Sequence, residues 1–518
     1  MSLAIIDWFL ALTPILVILV LMVVFRWGGA KAGAAGWLAA IVVAVVRFGA
    51  EIDLLALAQT KALFLSLDVL LIIWAAFFLF QVADEAGAIK TLGRALPQLT
   101  ADRGMQALLI SWPFASFLQG VGGFGVPVAV TAPLLIGLGF TPLVAVVAPS
   151  LGHGWSVTFG SLGTSFQAMV AASGISGYVL APPAALMLGL AGFGCGLMVL
   201  HAADGWAAMR RLLVPWFVMS ILMGLTQYWL ATNGMWSIGG FGGGMAGLAA
   251  GFVLVRWYRG NRSADPAQTI QRDAVILAFS AYLALIAMTM LVSFVTPLNA
   301  FLSQIIMIQL KFPEMRTALG YVTPAEFGRR INLLVHASAV LMYAAVIAYL
   351  VYRRAGLYQP GAFQRIANGT VKQVITSSIG IAAMVGMATV MSHAGMTEIL
   401  ARGLAQGMGA LFPLASPWIG VLGAFMTGSN TNSNVVFTVL QKRTADLLGI
   451  SAALILAAQT SGAAIGSVIA PTKIIVGAST AGLSGKEGLI LRSLLLYIAI
   501  LIAGISLATW ILIGVMPR

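Results

Sequence analysis

Charged side chains are scarce in this chain: Asp, Glu, Lys and Arg together make up 8% of the residues. A soluble globular domain carries about 25%, so that class is excluded. No hydrophilic stretch is long enough to form a soluble domain of its own. Cysteine is nearly missing. The single Cys195 rules out an internal disulfide and any Cys-based metal cage, and it reads as a small apolar residue in a helix. Four scattered histidines and no HExxH motif give no metal cluster and no nucleophile–base pair. No metal and no cofactor are therefore expected, and a membrane-embedded hydrolase or transferase stays a remote alternative.

What is abundant is apolar. Hydrophobic residues make up 60% of the chain and the mean hydropathy is +1.00. Clear membrane-spanning candidates lie near 7–27, 33–49, 62–83, 178–200, 210–231, 236–256, 272–295, 331–352, 372–393 and 488–515. Two glycine-rich segments add more, some of them broken, for about twelve to fourteen passes. The expectation is an all-α integral membrane protein, one polytopic domain over residues 1–518. The first apolar run is long enough to span and reads as an uncleaved helix. Segment 51–61 is short and amphipathic and is expected to lie on the membrane surface before the next span.

The formal net charge of +13 does not point to nucleic acid, because of where it sits. Arg256, Arg259 and Arg262, then Arg329 and Arg330, Arg353 and Arg354, and Lys442 and Arg443 read as short-loop residues. That is how a positive-inside orientation is encoded, which makes the loops 257–271 and 353–371 cytoplasmic. The run SIGGFGGGMAGLAAG within 236–251 suits close helix packing in lipid.

One long pattern occurs twice. Residues 116–177 open with SFLQGVGGFGVPVAV and pass through LGFTPLVAVVAPSLGHG; residues 424–485 open with AFMTGSNTNSNVVFT and pass through LGISAALILAAQTSGAA. Gly120 aligns with Gly428, Gly139 with Gly449, Gly152 with Gly462, and Gly174 and Gly177 with Gly482 and Gly485. The repeat cores are taken as 113–177 and 421–485. A membrane chain with two halves, each interrupted by glycine and polar residues, fits a transporter that binds its substrate between the repeats.

The interruptions carry the chemistry. In Thr427-Gly-Ser-Asn-Thr-Asn-Ser-Asn434, seven of eight side chains are polar, with apolar runs on both sides. Such groups cannot face lipid unsatisfied, so they line a cavity or pack inside protein. Gln119-Gly-Val-Gly-Gly-Phe-Gly-Val-Pro127 cannot be helical throughout. A half-helix starting near Pro127 would point its positive end at an anion. The spacing is no dinucleotide fingerprint, since no βαβ context surrounds it. Each repeat has a second break, Gly152 to Thr164 and Gln459 to Lys473. His153 between glycines suits a proton carrier. Lys473, alone in an apolar stretch, could meet an anionic substrate or snorkel to the surface. Asp68 is an acid within a strongly apolar run; its competing readings are a transport role, a helix-start cap, or a salt bridge to Lys473 or another buried base. His201 and His336 read as helix-end or packing residues, and His393 and Glu398 as interface residues.

These segments resemble the L-lactate permease family of bacterial secondary transporters. FLQGVGGFGVPVAVTAPLLIGLGF is similar to that family's FLEGAAGFGAPVAI, FMTGSNTNSNVVFTVLQ to its FLTGSDTSSN, and AGLSGKE is also similar. The resemblance implies proton-linked symport of small 2-hydroxymonocarboxylates such as lactate or glycolate in the bacterial inner membrane. Similarity to the wider ion-transporter superfamily implies inverted repeats, re-entrant hairpins and a dimeric elevator. The departures are as informative. Gln119 stands where the family pattern has Glu, and Asn430 where it has Asp, so those two acids cannot carry protons here. The family's Gly-Lys-Met-Ile-Ser-Pro-Gln becomes Gly466-Ser-Val-Ile-Ala-Pro-Thr-Lys473, which displaces the lysine.

The expected substrate site is Gln119, Gly120, Gly123, Gly125, Ser429, Asn430, Thr431, Asn432, Asn434, Thr472 and Lys473. His153 is the expected proton carrier, with Asp68 in reserve. The alternative is a sodium-coupled carboxylate or sulfonate symporter with its ion near Ser429, Asn430 and Asn434.

Overall fold

In the computed structural model, residues 5–25, 27–95, 100–123, 125–258, 272–328, 330–484 and 486–515 are described. Gly485 and loop residues 259–271, with Arg259 and Arg262, lie outside them. A hydrocarbon environment leaves backbone polar groups no partner but each other, so apolar runs close into helices. Thirteen helices among the described residues are long and apolar enough to cross a membrane.

The chain begins with α1 (Ile5–Val23), α2 (Gly29–Phe48), α3 (Ile52–Glu85) and the short α4 (Ala88–Ala95). The first glycine-rich segment contains α5 (Arg103–Leu109), a π turn around Pro113, α6 (Ala115–Val121), α7 (Val126–Gly137), α8 (Pro142–His153) and α9 (Thr164–Ser173). Then come α10 (Gly177–Arg211), α11 (Leu213–Thr232), α12 (Trp236–Leu254), α13 (Arg272–Phe294) and α14 (Thr296–Ile305). Six two-residue strands follow: β1 (Met307–Ile308), β2 (Lys311–Phe312), β3 (Met315–Arg316), β4 (Val322–Thr323), β5 (Glu326–Phe327) and β6 (Ile331–Asn332). They pair β1 with β6, β2 with β5 and β3 with β4, all antiparallel, as the nested rungs of one long hairpin. Helices α15 (Ala337–Arg354), α16 (Ala362–His393) and α17 (Met396–Met408) lead into the second glycine-rich segment. That segment contains α18 (Phe412–Thr427), α19 (Asn430–Leu448), α20 (Ala452–Gly466) and α21 (Pro471–Thr480), and α22 (Glu487–Val515) closes the chain.

Both segments run in the same order: a helical hairpin, a tight turn, then a helix that breaks and restarts. Gly139 and Gly449 make the turn with φ of 82° and 66°, and Gly174 and Gly482 end the restarted helices with φ of 68° and 69°. Gly152 and Gly462 let the broken helix touch backbone. A Cβ would sit 1.8 Å from the Ser111 carbonyl oxygen at the first and 2.0 Å from that of Pro417 at the second. At the hairpin tips the alignment slips. Gly428 has φ 72°, whereas Gly120 lies within α6 and the left-handed positions of the first tip are Gly123 and Gly125. The glycine stripe of α12 packs on the first segment: the Gly240 N–H donates to the Phe159 carbonyl at 3.1 Å.

Three sequence expectations change. Segment 51–61 is no separate surface helix: α3 runs unbroken from Ile52 to Glu85, because nothing between Lys61 and the apolar run breaks the helix. Lys442 and Arg443 lie within α19, not in a loop, and Arg443 pairs with Glu398, which also holds Arg402 at 2.7 Å. Arg330, read with Arg329 as a short-loop residue, adjoins the Ile331–Asn332 rung of the β-hairpin, and Arg329 lies outside the described residues.

Helices α3 and α16 pack antiparallel. Trp74 Nε1 donates to Ser378 Oγ at 3.0 Å, and Arg365 pairs with Glu85 at 2.7 Å near one end. Lys61 of α3 and His393 of α16 meet at the other end, under the β-hairpin.

Candidate functional site

The second hairpin turns on two residues. Gly428 takes a left-handed conformation, and Ser429 is extended (φ −151°, ψ 129°) and caps α19, its side chain accepting from the Asn432 N–H at 3.4 Å. The arms are tied by Ser433 Oγ to the Gly420 carbonyl at 3.0 Å and by Gln441 Nε2 to the Ser416 carbonyl at 3.1 Å. Because α19 begins at Asn430, helical geometry sorts its polar run into two faces.

One face ties the two repeats together. Asn430 Nδ2 donates to Thr158 Oγ1 at 3.0 Å. Asn434 Nδ2 donates to the Ser165 carbonyl and to Thr460 Oγ1, each at 2.9 Å. Thr431 and Ser165 hydroxyls meet at 2.9 Å, and those of Thr158 and Thr460 at 3.1 Å. The backbone that presents Thr158 and Ser165 is unwound: Ser161, Leu162 and Gly163 all have positive φ, at 46°, 57° and 78°. A buried leucine in that region signals strain of the kind that functional breaks store. Asn430 Oδ1 and Asn434 Oδ1 are buried and accept no hydrogen bond among the described residues.

The other face opens on a cavity. Helix α20 ends at Gly466, one tight turn follows, and Ala470 is extended before Pro471 starts α21. Proline at a first turn loses only an N–H that has no intrahelical partner. The N-terminal turn of α21 therefore faces the Gly428 tip; a Cβ on Gly428 would lie 2.7 Å from Thr472 Oγ1. Between them is a space of about 230 Å³ lined by Thr427, Gly428, Ser429, Asn432, Thr472 and Lys473, with Val476, Gly29, Ala30, Gly380 and Ile381 completing the wall. Lys473 Nζ donates to Ser467 Oγ at 2.8 Å. The cavity thus combines one cation, a hydroxyl-and-amide lining and the starts of two helices, α19 and α21. Helix starts carry unpaired N–H groups and partial positive charge, so the arrangement suits a small anion.

The remaining sequence candidates lie elsewhere. Gln119 and Gly120 sit in α6, and Gly123 abuts Ser161; none of them lines the cavity. Gly125 starts α7 and faces Val476, on the cavity's edge. The space beside the first tip is only about 10 Å³, so its glycines serve close packing. His153 is the last residue of α8, 1% exposed, with Nδ1 2.6 Å from the Pro149 carbonyl and Nε2 without a partner among the described residues. Asp68 is mid-helix, which removes the helix-start reading, and its base is His336 instead of Lys473: His336 Nε2 lies 2.9 Å from Asp68 Oδ1. His336, a helix-end residue by sequence, does cap α15 through Nδ1. Nothing in the sequence marks its second role, 268 residues away from Asp68.

Known proteins resemble this chain over nearly its whole length. The family model "L-lactate permease" matches residues 7–516. The chain belongs to the L-lactate permease family. Glycolate permease GlcA of Escherichia coli is 27% identical over 93% of this chain and 91% of its own length. L-lactate permease of Bacillus subtilis is 28% identical over the same shares. A YdaH transporter structure from Alcanivorax borkumensis covers 86% of this chain and 85% of its own, with 15% identity and a TM-score of 0.47. This family member is a multi-pass membrane protein of the lactate-permease type.

Proposed function

We propose that the chain is a secondary active symporter of small 2-hydroxymonocarboxylates, such as lactate or glycolate, in the bacterial inner membrane. It works by alternating access, with two inverted repeats moving around the site. The observation that carries this reading is the cavity at the second hairpin tip. Its volume suits a molecule of a few heavy atoms, and Lys473 with the starts of α19 and α21 supplies the positive field for one carboxylate. Ser429, Asn432 and Thr472 are placed to hydrogen-bond a 2-hydroxyl. Asn430, Thr431 and Asn434 act one step removed, by coupling the hairpin to the other repeat.

Proton coupling is assigned to His153, the carrier, with Asp68 and its partner His336 as the second titratable group. Neither lines the cavity, so the proton and the substrate would use separate positions linked by movement of the helices. His153→Ala in proteoliposomes is expected to lose uptake driven by a pH gradient while keeping exchange of internal for external substrate; full pH-driven uptake by that variant would remove His153 from the mechanism.

One observation favours sodium as the coupling ion. Asn430 and Asn434 project, from the same helix face, two amide oxygens that are unpaired among the described residues, and oxygen ligands of this kind suit a small hard cation. Uptake under a sodium gradient at constant pH, lost in Asn434→Ala, supports that reading; uptake indifferent to sodium rejects it.

A further inference from the structure

A second, larger cavity of about 530 Å³ lies under the β-hairpin at the end of α3 and α16 farther from Glu85 and Arg365. Its charged lining, and part of its polar lining, comes from α3, β5, α16 and α19. Helix α3 brings Lys61, which pairs with Glu326 of β5 and is thereby neutralised. Helix α16 brings Thr389, Ser392 and His393, and α19 brings Lys442. Lys442 is half-buried and makes no ion pair among the described residues. His393 is 2% exposed; its Nδ1 lies 3.2 Å from Thr323 Oγ1 and its Nε2 has no partner among the described residues.

This vestibule and the inner cavity both border α16 and α19. Val385 and Val435 line the vestibule, while Ile381 and Asn432 line the inner cavity. On α16 the step between them is four residues and on α19 it is three, so about one helical turn, roughly 5 Å, separates the two spaces. Lys442 and His393 therefore stand on the β-hairpin side of Ser429 and Lys473.

We propose that the vestibule is a docking site for small carboxylate anions. The Lys442 ammonium supplies the charge and the Ser392 hydroxyl a hydrogen bond; buried His393 and Thr389, whose hydroxyl donates to the Val385 carbonyl at 2.7 Å, shape the wall, and the aliphatic turn at Val385 and Val435 closes the floor. A cleft lined by one uncompensated charge and walled by apolar side chains concentrates counter-ions and raises their on-rate. The docking role rests on the transport reading for its substrate, but its electrostatics can be tested without it.

Cys195 is buried, so a cysteine placed at Ser392 is the only reactive thiol expected in the full-length chain. Its labelling by a negatively charged methanethiosulfonate (the ethylsulfonate) is compared with labelling by a positively charged one (the ethylammonium) in membrane vesicles. The negative reagent is expected to react roughly tenfold faster. That preference should collapse in Ser392→Cys/Lys442→Gln and return in Ser392→Cys/Lys442→Arg. Equal rates for the two reagents, or a preference that Lys442→Gln leaves intact, would overturn the proposal. L-lactate uptake by the same preparations separates the two readings: a Lys442-dependent anion preference without uptake of any tested 2-hydroxyacid keeps the vestibule and removes the substrate assignment.

Discussion

Lys473 and Ser467 are six residues apart, and their contact spans the break between α20 and α21. A half-buried ammonium with one hydroxyl partner has capacity left for an anion, since a lysine offers three donors. Lys473→Gln removes the charge and keeps most of the shape. It is expected to raise the KM for L-lactate uptake roughly 10–100-fold, the effect of losing about 1.5–3 kcal/mol of charged hydrogen bonding; an unchanged KM would show that the carboxylate sits elsewhere. The isolated lysine and the polar run 427–434 were legible in the sequence because apolar neighbours make them costly. Which members of the run face the cavity was not. That depends on α19 starting at Asn430, which turns Ser429 and Asn432 inward to the cavity and Asn430 and Asn434 to Thr158 and Thr460. A buried base for Asp68 was among the sequence readings, but that it is His336 was out of reach, because packing alone brings those residues together.

At the scale of elements, the two broken helices depend on glycine against backbone. Gly152 and Gly462 each meet a carbonyl oxygen at a distance no Cβ can occupy. Gly462→Ala should push α20 off α18, and Gly152→Ala should push α8 off the π turn. Overpacking costs typically about 1–3 kcal/mol and more where backbone must move. Both variants are expected to shift from a single size-exclusion peak to aggregate in detergent, whereas Gly137→Ala, with open space around it, should behave as wild type. A normal profile for Gly462→Ala would show that the broken helices are looser than their packing implies. The glycine alignment paired Gly139 with Gly449 and Gly152 with Gly462, which share a left-handed turn and a backbone contact that the letters alone did not specify. It misplaced the first tip, where the chain uses Gly123 and Gly125 instead of Gly120, because glycine letters alone do not reveal which of several adjacent glycines takes the positive φ. The β-hairpin escaped notice because its rungs are two residues long, too short for alternation to register.

For the whole molecule, hydropathy foretold the helical membrane architecture, since bilayer thickness sets helix length directly. Sidedness follows from charge. Arg353, Arg354 and Arg365 lie at one end of the bundle with Glu85, and the β-hairpin, Lys61 and His393 lie at the other. The β-hairpin end carries Arg402, Lys442 and Arg443 as well, so the orientation proposed rests on Arg353 and Arg354 beside the short loop 353–371, which the positive-inside rule puts in the cytoplasm. Single cysteines at Arg354 and at Ser392 should therefore react with a membrane-impermeant reagent from opposite sides in intact cells: Ser392→Cys from outside, Arg354→Cys only after permeabilisation. Labelling of both from outside would contradict the orientation.

The central proposal is the coupled movement of a small hydroxycarboxylate through the Lys473 cavity. Purified full-length protein in proteoliposomes, given radiolabelled L-lactate and an inward proton gradient, tests it most directly. The account predicts accumulation above the external concentration that collapses with a protonophore, is competed by glycolate and is strongly reduced in Lys473→Gln. Absence of accumulation of either lactate or glycolate under both proton and sodium gradients would contradict it.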